Sequence, residues 1–420
     1  MTPPDSTTSE NFEWIHGGGL TTPSGFTASG VAAGLKASNA PDVGMLYAHS
    51  PCRAAGAFTP HPFAAAPVQF TQELVSKQTP VHAVAVNSGN ANACTGKNGL
   101  ADTGHIAQFT ADLLDISWEK VLVCSTGIIG RRLPMDSLLE GIKSAAGDLS
   151  ENSGEDFAEA IMTTDTRPKS HAVQLQVGGQ TVSIGGAAKG AGMIAPRMIP
   201  ARPAHATMLS FVTTDAAVDQ EFLDECLQEA LHASFNRITV DGESSTNDTF
   251  LVLANAEADN PTLTTESEEA DTFREALTAL VQELAKDIIR DAEGATRFVE
   301  LRVSGAATEQ EARLCAESIA NSLLCKTAWN GGDPNWGRIL EAAGNAEVSL
   351  DPENVALDYN EVPIVRESVD AGTSQPDQAA ALSGDSFTIK LDLGMGESEY
   401  TIWTCDLSQE YVRINAEYHT

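Results

Sequence analysis

The sequence predicts an α/β fold, a layered sandwich in which central β-sheets are covered by helices. Short apolar runs that end in glycine-containing loops indicate buried strands, and apolar residues recurring every three or four positions indicate amphipathic helices. These two signals alternate irregularly along the 420 residues, and no linker divides the chain cleanly into independent domains. Such a mixture is typical of sheets that bury their faces under helices.

The strands are indicated mainly by short apolar runs. Residues 81–86 and 120–124 read as buried strands, and each leads into a polar loop. Residues 171–177 and 180–184 alternate apolar and polar side chains on either side of Gly178-Gly179, which predicts a β-hairpin with a two-glycine turn. Further strands are predicted at 249–253, 297–303, 387–393 and 400–405, the last two as a second hairpin.

The helices show the spacing of one apolar face. That spacing is clearest over 273–288 and 222–231, and a third long helix is predicted over 309–325. A shorter helix is predicted over 136–145, immediately after a glycine-rich turn. The longest helices therefore fall in the second half of the chain.

Composition excludes several classes of protein. The chain has 25 Lys+Arg against 58 Asp+Glu, a net charge of -33, which repels phosphate backbones and makes a nucleic-acid partner unexpected. No apolar run approaches the roughly 20 residues that span a bilayer, and residues 1–10 lack a secretion signal. The seven cysteines form no CxxC pair and the nine histidines show no metal-ligand spacing. We therefore expect a soluble cytoplasmic protein with reduced thiols, no membrane partner, no metal and no bound cofactor.

Four segments rich in small and polar residues lie at predicted strand ends. Backbone N–H groups in such loops can approach a ligand closely and suit an anion or an oxyanion. Taken singly, each segment is more typical of an ordinary turn. The segments are 87–96, 125–130, 189–196 and 241–248.

Taken together, these loops and several further motifs resemble the ornithine acetyltransferases, or glutamate N-acetyltransferases, of arginine biosynthesis. The resemblance runs from about Leu20 to Thr420 and includes Ala206-Thr207-Met208-Leu209. The other matching segments are 160–166, 213–216, 234–237, 291–296, 326–328, 332–338 and 411–420.

This resemblance implies a fold of the self-cleaving N-terminal-nucleophile type. The precursor would be cut between Ala206 and Thr207, giving an α chain of residues 1–206 and a β chain of residues 207–420, assembled as α2β2. Cleavage would place the hydroxyl nucleophile and its base on one residue, because a new α-amino group has a pKa of about 7.7–8.0. Without the flanking motifs, Thr207 would be an ordinary β-branched residue at the start of a buried strand.

The resemblance also implies a reaction in two halves. Thr207 would take the acetyl group from N-acetylornithine as an ester and pass it to glutamate. Thr126 and Gly127 would form the oxyanion hole, so Gly127→Ala is expected to slow acetyl transfer about 100-fold or more with little change in thermal stability. Substrate contacts carried over by motif are Thr163, Lys189, Thr207, Glu293, Asn415 and Thr420.

The match departs from the family pattern at a few places. Residues 199–205, which contain two prolines, form an insertion just before the expected cut. Arg131-Arg132 stands beside the oxyanion loop where the family commonly has an acidic or neutral pair. His61 and Glu243-Ser244 also differ from the usual residues, so these positions bear on substrate preference rather than on the nucleophile.

Three other functions stay open on the sequence. An amidohydrolase or aminopeptidase with the same self-cleaving fold would give the acyl group to water, and a paralogue would use another acetylated amine. An uncleaved acidic binding protein is the non-enzymatic alternative. No phosphate-binding motif decides whether acetyl-CoA also serves as acetyl donor.

Overall fold

A computed structural model of the chain describes residues 11–200 and 208–417. These residues form two compact units. The first contains the chain up to Asn236 together with Ser244–Ile288, and the second contains Arg237–Glu243 together with the chain from Ile289. The chain passes between the units three times, at residues 236/237, 243/244 and 288/289. For this reason no single linker in the sequence marks the boundary between them.

The strands are numbered in chain order. They are β1 (Phe12–Trp14), β2 (Phe26–Val31), β3 (Val43–Phe58), β4 (Val81–Asn87), β5 (Val121–Ser125), β6 (Lys169–Val177), β7 (Gln180–Lys189), β8 (Ile199–Pro200), β9 (Leu209–Thr214), β10 (Ile238–Thr239), β11 (Thr249–Ala254), β12 (Phe298–Ala306), β13 (Ala356–Tyr359), β14 (Val362–Arg366), β15 (Val369–Asp370), β16 (Ser386–Asp392) and β17 (Ser398–Cys405).

The α-helices are numbered in the same way. They are α1 (Ala66–Ser76), α2 (Gly96–Leu114), α3 (Met135–Gly147), α4 (Gly154–Ala160), α5 (Gln220–His232), α6 (Ala270–Arg290), α7 (Glu309–Ala320), α8 (Leu323–Gly331), α9 (Trp336–Gly344), α10 (Gln375–Ala381) and α11 (Gln409–Glu417). Within the described ranges, no helix combines the length and the apolar character needed to cross a membrane.

The first unit is built on a ten-stranded sheet in the order β1-β6-β7-β9-β11-β3-β4-β5, with β2 and β8 also paired to β3. Strand β9 lies in the interior of this order, antiparallel to β7 and parallel to β11, and all six of its residues are buried. Strands β4 and β5 are parallel, so the loops that follow them leave from the same edge. The loop after β7 and the loop before β11 lie at the beginning of β9, because Lys189 and Thr249 both pair with Leu209.

Helices pack on this sheet through apolar side chains, which confirms the α/β prediction. Helix α6 contacts β7 closely, since a Cβ added at Gly186 would come within 2.9 Å of Leu280 and 3.0 Å of Leu284. Phe157 of α4 meets Phe211 of β9 edge-on, with ring centroids 5.3 Å apart. The predicted hairpin at 171–184 is confirmed by the antiparallel pairing of β6 and β7.

The second unit contains a seven-stranded sheet in the order β10-β17-β12-β16-β13-β14-β15. Here the predicted hairpin of 387–393 with 400–405 is wrong. Strand β12 lies between β16 and β17, parallel to the first and antiparallel to the second. The connection over residues 393–397 is long enough to pass one strand, because strands lie about 4.8 Å apart and each residue spans about 3.3 Å.

The prediction of a single helix over 309–325 is also wrong, because the structure has two helices there. Helix α7 ends at Ala320, and α8 begins at Leu323. The Ser322 hydroxyl accepts a hydrogen bond from the Cys325 N–H, so it caps a new helix instead of continuing the old one. Apolar spacing continues across this break, which is why periodicity alone joined the two helices.

Candidate active site

Three of the four small-residue loops meet at the side chain of Asn247. Its Nδ2 donates to the carbonyl oxygen of Ala91 at 2.6 Å and to that of Ser125 at 2.8 Å. Asn247 is buried, so these two hydrogen bonds hold the loops in a region from which water is largely excluded. The loops at 87–96, 125–130 and 244–248 are thereby fixed to one another in the first unit.

The predicted oxyanion loop has two donors available. The backbone N–H of Thr126 already donates to the Asn87 carbonyl at 2.9 Å. The Thr126 hydroxyl accepts a hydrogen bond from Lys189 at 3.2 Å, which leaves its own proton for another acceptor. The Gly127 N–H donates to no acceptor within residues 11–200 and 208–417. The donors of this loop are therefore the hydroxyl of Thr126 and the N–H of Gly127.

Lys189 lies at the last position of β7 and is buried. Its Nζ donates to the hydroxyl of Thr163 at 2.7 Å and to that of Thr126. In the pairing of β7 with β9, Lys189 is opposite Leu209, the first residue of β9. Three residues predicted separately are thus brought together beside the strand that begins two positions after Thr207.

Asp165 holds this arrangement in place. Its carboxylate accepts hydrogen bonds from the Thr163 N–H at 3.0 Å, from Lys169 Nζ at 2.7 Å and from the Gly190 N–H at 2.7 Å. Burial acts to raise the pKa of the Asp165 carboxyl, but Lys169, Lys189 and the donated hydrogen bonds hold that pKa well below its ordinary value. Asp165 is therefore a buried anion that fixes the positions of Thr163 and of the end of β7.

Asp248 is a second buried carboxyl that the charge of Lys189 affects, but its pKa is shifted in the opposite direction to that of Asp165. Neither of its oxygens has a hydrogen-bond partner in the described part of the chain. Burial raises the pKa of the Asp248 carboxyl well above its usual value, although the charge of Lys189 acts to lower it. Burial therefore favours the neutral form of the Asp248 carboxyl, in contrast to the Asp165 carboxyl, whose charged form is stabilised.

Glu293 and Asn415 meet within the second unit. Asn415 Nδ2 donates to Glu293 Oε2 at 2.7 Å. The turn after Glu293 is held by the Ser408 hydroxyl, which donates to the Gly294 carbonyl at 2.6 Å. Gly294 has φ +67°, and an added Cβ there would lie 2.6 Å from the Tyr411 backbone nitrogen. The close approach therefore requires glycine and fixes Glu293 beside the C-terminal helix.

Several predicted residues lie outside the described residues. They are the cleavage pair Ala206 and Thr207, and the C-terminal residue Thr420. Of the insertion at 199–205, Ile199–Pro200 form β8, which pairs with β3, and the remainder is likewise outside the described ranges.

The departure at Arg131-Arg132 is explained by a structural contact. Arg132 donates from one guanidinium nitrogen to both carboxylate oxygens of Asp102 in α2, at 2.8 and 2.9 Å. The Arg132 carbonyl in turn accepts a hydrogen bond from Asn90 at 3.1 Å. Arg132 therefore links the end of the predicted oxyanion loop to a helix, although both Arg131 and Arg132 are exposed.

Sequence reasoning did not single out Asp165 and Asn247. Asp165 is the lone acid in a threonine-rich segment four residues before Lys169, a spacing that also fits an ordinary turn. The contacts of Asn247 reach 156 and 122 residues along the chain, and no local pattern encodes them.

The structure changes the expected result for Gly127→Ala. Gly127 has φ +125°, and an added Cβ would lie 2.4 Å from the Gly89 carbonyl carbon and 2.6 Å from the Asn90 nitrogen. These are backbone atoms that cannot rotate away, so the earlier expectation of little change in stability is wrong. We expect Gly127→Ala to lower both the melting temperature and the rate of acetyl transfer, the latter by about 100-fold or more.

Gly130→Ala is the matched control, measured by thermal unfolding and acetyl-transfer rate. Gly130 also has a positive φ, +85°, but an added Cβ there would meet no atom within 4 Å. It should therefore lose only about 1–2 kcal/mol of stability, the cost of a Cβ in the left-handed region, while keeping most of its activity. Full activity in Gly127→Ala would contradict the assignment of this loop as the oxyanion hole.

The first unit therefore brings two available donors, on Thr126 and Gly127, next to the buried side chain of Lys189. Residues 27–420 match the ArgJ family. The chain is 47% identical over 405 residues to the arginine biosynthesis bifunctional protein ArgJ of Dehalococcoides mccartyi, covering 96% of this chain and 98% of that protein. It is 46% identical over 410 residues to the protein of the same name from Symbiobacterium thermophilum, covering 97% and 100%.

Among solved structures, ornithine acetyltransferase from Mycobacterium tuberculosis complexed with ornithine is 42% identical, with a TM-score of 0.42. That match covers 45% of this chain and 100% of the other. On the family match and the curated relatives, the chain belongs to the ArgJ family. The predicted resemblance to the glutamate N-acetyltransferases of arginine biosynthesis is thus confirmed.

Proposed function

We propose that the chain cleaves itself between Ala206 and Thr207 and then moves an acetyl group from N-acetyl-L-ornithine to L-glutamate through an ester on Thr207. The observation that carries this proposal is the pair of available donors on Thr126 and Gly127, close to Lys189 and the start of β9. Donors aimed at a developing oxyanion are the feature that acyl transfer most needs.

Cleavage begins with attack of the Thr207 hydroxyl on the Ala206 carbonyl. The peptide C–N bond breaks, the α-amino group of Thr207 takes the proton, and an ester joins the two residues. Water then hydrolyses the ester, which leaves a carboxylate on Ala206 and a free hydroxyl and amine on Thr207. Strands β7 and β9 pair over six positions on opposite sides of the cut, so the two chains would remain joined in one sheet.

In the first half-reaction, the Thr207 amine accepts the hydroxyl proton as the oxygen attacks the acetyl carbonyl of N-acetylornithine. The Thr126 hydroxyl and the Gly127 N–H donate to the oxyanion. The intermediate collapses by breaking the C–N bond, and the amine of ornithine leaves with the proton. A hydroxyl is a poor nucleophile without such a base, and cleavage supplies one on the same residue.

In the second half-reaction, the amine of glutamate attacks the acetyl ester of Thr207. The same donors stabilise the oxyanion, and the C–O bond breaks to release N-acetylglutamate and return the proton to the Thr207 oxygen. The charge of Lys189 suits the α-carboxylate that both substrates share, and the charge of Glu293 suits the side-chain ammonium of ornithine. Thr163, Asn415 and Thr420 complete the proposed substrate contacts.

We further infer that acetyl-CoA can acetylate Thr207, since the curated relatives are named as bifunctional proteins. The enzyme would then need no bound cofactor or metal. We place it in the cytoplasm as an α2β2 assembly of its cleaved chains, as the family resemblance implies.

Steady-state kinetics separate transfer from hydrolysis. When N-acetylornithine and glutamate are both varied, double-reciprocal plots should give parallel lines, because the acetyl group leaves the first substrate before the second reacts. N-acetylglutamate should form much faster than acetate. Acetate production at one rate with and without glutamate would instead identify an amidohydrolase.

A further inference from the structure

A loop that the proposed reaction does not use is organised around Asp42, a fully buried residue. Its Oδ1 accepts a hydrogen bond from the Ala33 N–H at 2.6 Å, and its Oδ2 accepts from the N–H groups of Leu35 at 2.6 Å and Lys36 at 3.0 Å. The Ser88 N–H donates to the Asp42 carbonyl at 2.8 Å. The Asp42 carboxylate thus fixes the backbone that carries Lys36.

This loop lies against the base of the oxyanion loop. A Cβ added at Gly89 would lie 3.2 Å from the Leu35 carbonyl oxygen and 3.3 Å from Lys36 Cγ. Gly127 also lies against Gly89, because a Cβ added at Gly127 would be 2.4 Å from the Gly89 carbonyl carbon. Lys36 is therefore one residue layer from the predicted oxyanion donors.

The ammonium group of Lys36 keeps donor capacity. Its Nζ donates to the Pro41 carbonyl at 2.5 Å and, in a weaker contact of 3.5 Å, to the Ala160 carbonyl at the end of α4. An ammonium has three N–H donors. Ala160 lies three residues before Thr163, which receives the hydrogen bond of Lys189. Lys36 thus points toward the same segment as Lys189.

Lys36 lies close enough to Lys189 for the two side chains to interact electrostatically, in a chain whose net charge is -33. Burial and, to a smaller extent, the charge of Lys189 lower the pKa of Lys36 to about 8, although Asp42, Asp165 and Glu159 act to raise it. Of these acids, Asp42 binds backbone N–H groups and Asp165 binds Lys169. A bound anion would therefore stabilise the charged form of Lys36.

The two amino-acid substrates differ in the charge of their side chains. Ornithine carries an ammonium, whereas glutamate carries a second carboxylate. Resting on the function proposed above, we propose that Lys36 is a specificity residue that binds the side-chain carboxylate of the acceptor glutamate. Lys189 then binds the α-carboxylate of either substrate, whereas Lys36 binds the side-chain carboxylate of the acceptor alone.

The test compares Lys36→Met with the wild-type enzyme in the two half-reactions. Acetylation of the β chain by N-acetylornithine, followed by intact mass, should proceed at nearly the wild-type rate. Discharge of the acetyl-enzyme by glutamate should slow about 10- to 100-fold, whereas discharge by glutamine, which lacks the side-chain carboxylate, should change little. Lys77→Met is the matched control, because Lys77 is exposed and pairs with Glu73 on the surface.

Equal slowing with glutamate and glutamine would overturn the proposal and leave Lys36 as a cap of α4. An absence of acetyl-enzyme in the wild type would instead refute the proposed function. Should Lys36→Met fail to fold, the pH dependence of the wild-type enzyme provides the test instead.

The pH test uses the titration of Lys36, which loses its charge above about pH 8. The preference for glutamate over glutamine should therefore fall between about pH 7 and 9. The Thr207 amine titrates in the same range, but it affects the reaction with both acceptors. A preference that stays flat over that range would also overturn the proposal.

Discussion

Thr207→Ala is expected to leave one uncut chain and to lower acetyl transfer by about 10⁴-fold or more, because the substitution removes both the cleaving group and the acyl carrier. The wild type should give two fragments of similar size, and N-terminal sequencing of the second should read Thr-Met-Leu-Ser. The fold should survive, since β9 is fixed by pairing with β7 and β11 and Met208 is buried. Gel electrophoresis, intact mass and thermal unfolding measure these results.

Thr207→Ser is the matched control for this prediction. Serine keeps the hydroxyl and, after cleavage, the α-amino base, so cleavage and transfer should both persist at reduced rates. A full-length wild-type protein that nevertheless transfers acetyl groups would contradict the mechanism. A Thr207→Ala variant that is cut at the same bond would show that another group performs the cleavage.

Lys189→Met is expected to slow both half-reactions by about 10- to 100-fold each, the range for losing a hydrogen bond to a charged group. The substitution removes the donor to Thr126 and Thr163 and the charge proposed for the shared α-carboxylate. Without that charge, the pKa of both Asp165 and Asp248 should also rise. Single-turnover acetylation and discharge measure the two halves separately.

Lys326→Met controls for the general cost of losing a buried lysine. Lys326 is buried in the second unit, where its Nζ donates to the Thr404 hydroxyl at 2.8 Å and also to the Cys405 carbonyl. It should lower the melting temperature without changing the ratio of the two half-reactions. If Lys189→Met affects stability alone, Lys189 is structural and the carboxylate assignment is wrong.

The sequence indicated the loops of the candidate site but could not show how they meet. Short strands followed by small residues identified the loops after β4, β5 and β7, because strand ends and glycines leave local patterns. The hydrogen bonds of Asn247 and the pairing of Lys189 with Leu209 depend on the order of strands in the sheet. That order is set by packing over the whole unit, which local spacing does not record.

The wrong assignments have the same origin. Alternating residues in β16 and β17 fit a neighbouring strand on either side, so pattern alone paired them with each other rather than with β12. Asp42 and Lys36 were overlooked because a single acid and a single lysine in a loop resemble solvated surface residues. Only the backbone N–H groups gathered on Asp42 reveal that this loop is built to a fixed shape.

Intact mass of the β chain during turnover tests the central claim most directly. Incubation with N-acetylornithine alone should add about 42 Da to the fragment that begins at Thr207, as expected for a covalent acyl intermediate. Adding glutamate should remove that mass and release N-acetylglutamate much faster than water releases acetate. A β chain that never gains the acetyl mass while N-acetylglutamate accumulates would contradict the acetyl-threonine mechanism.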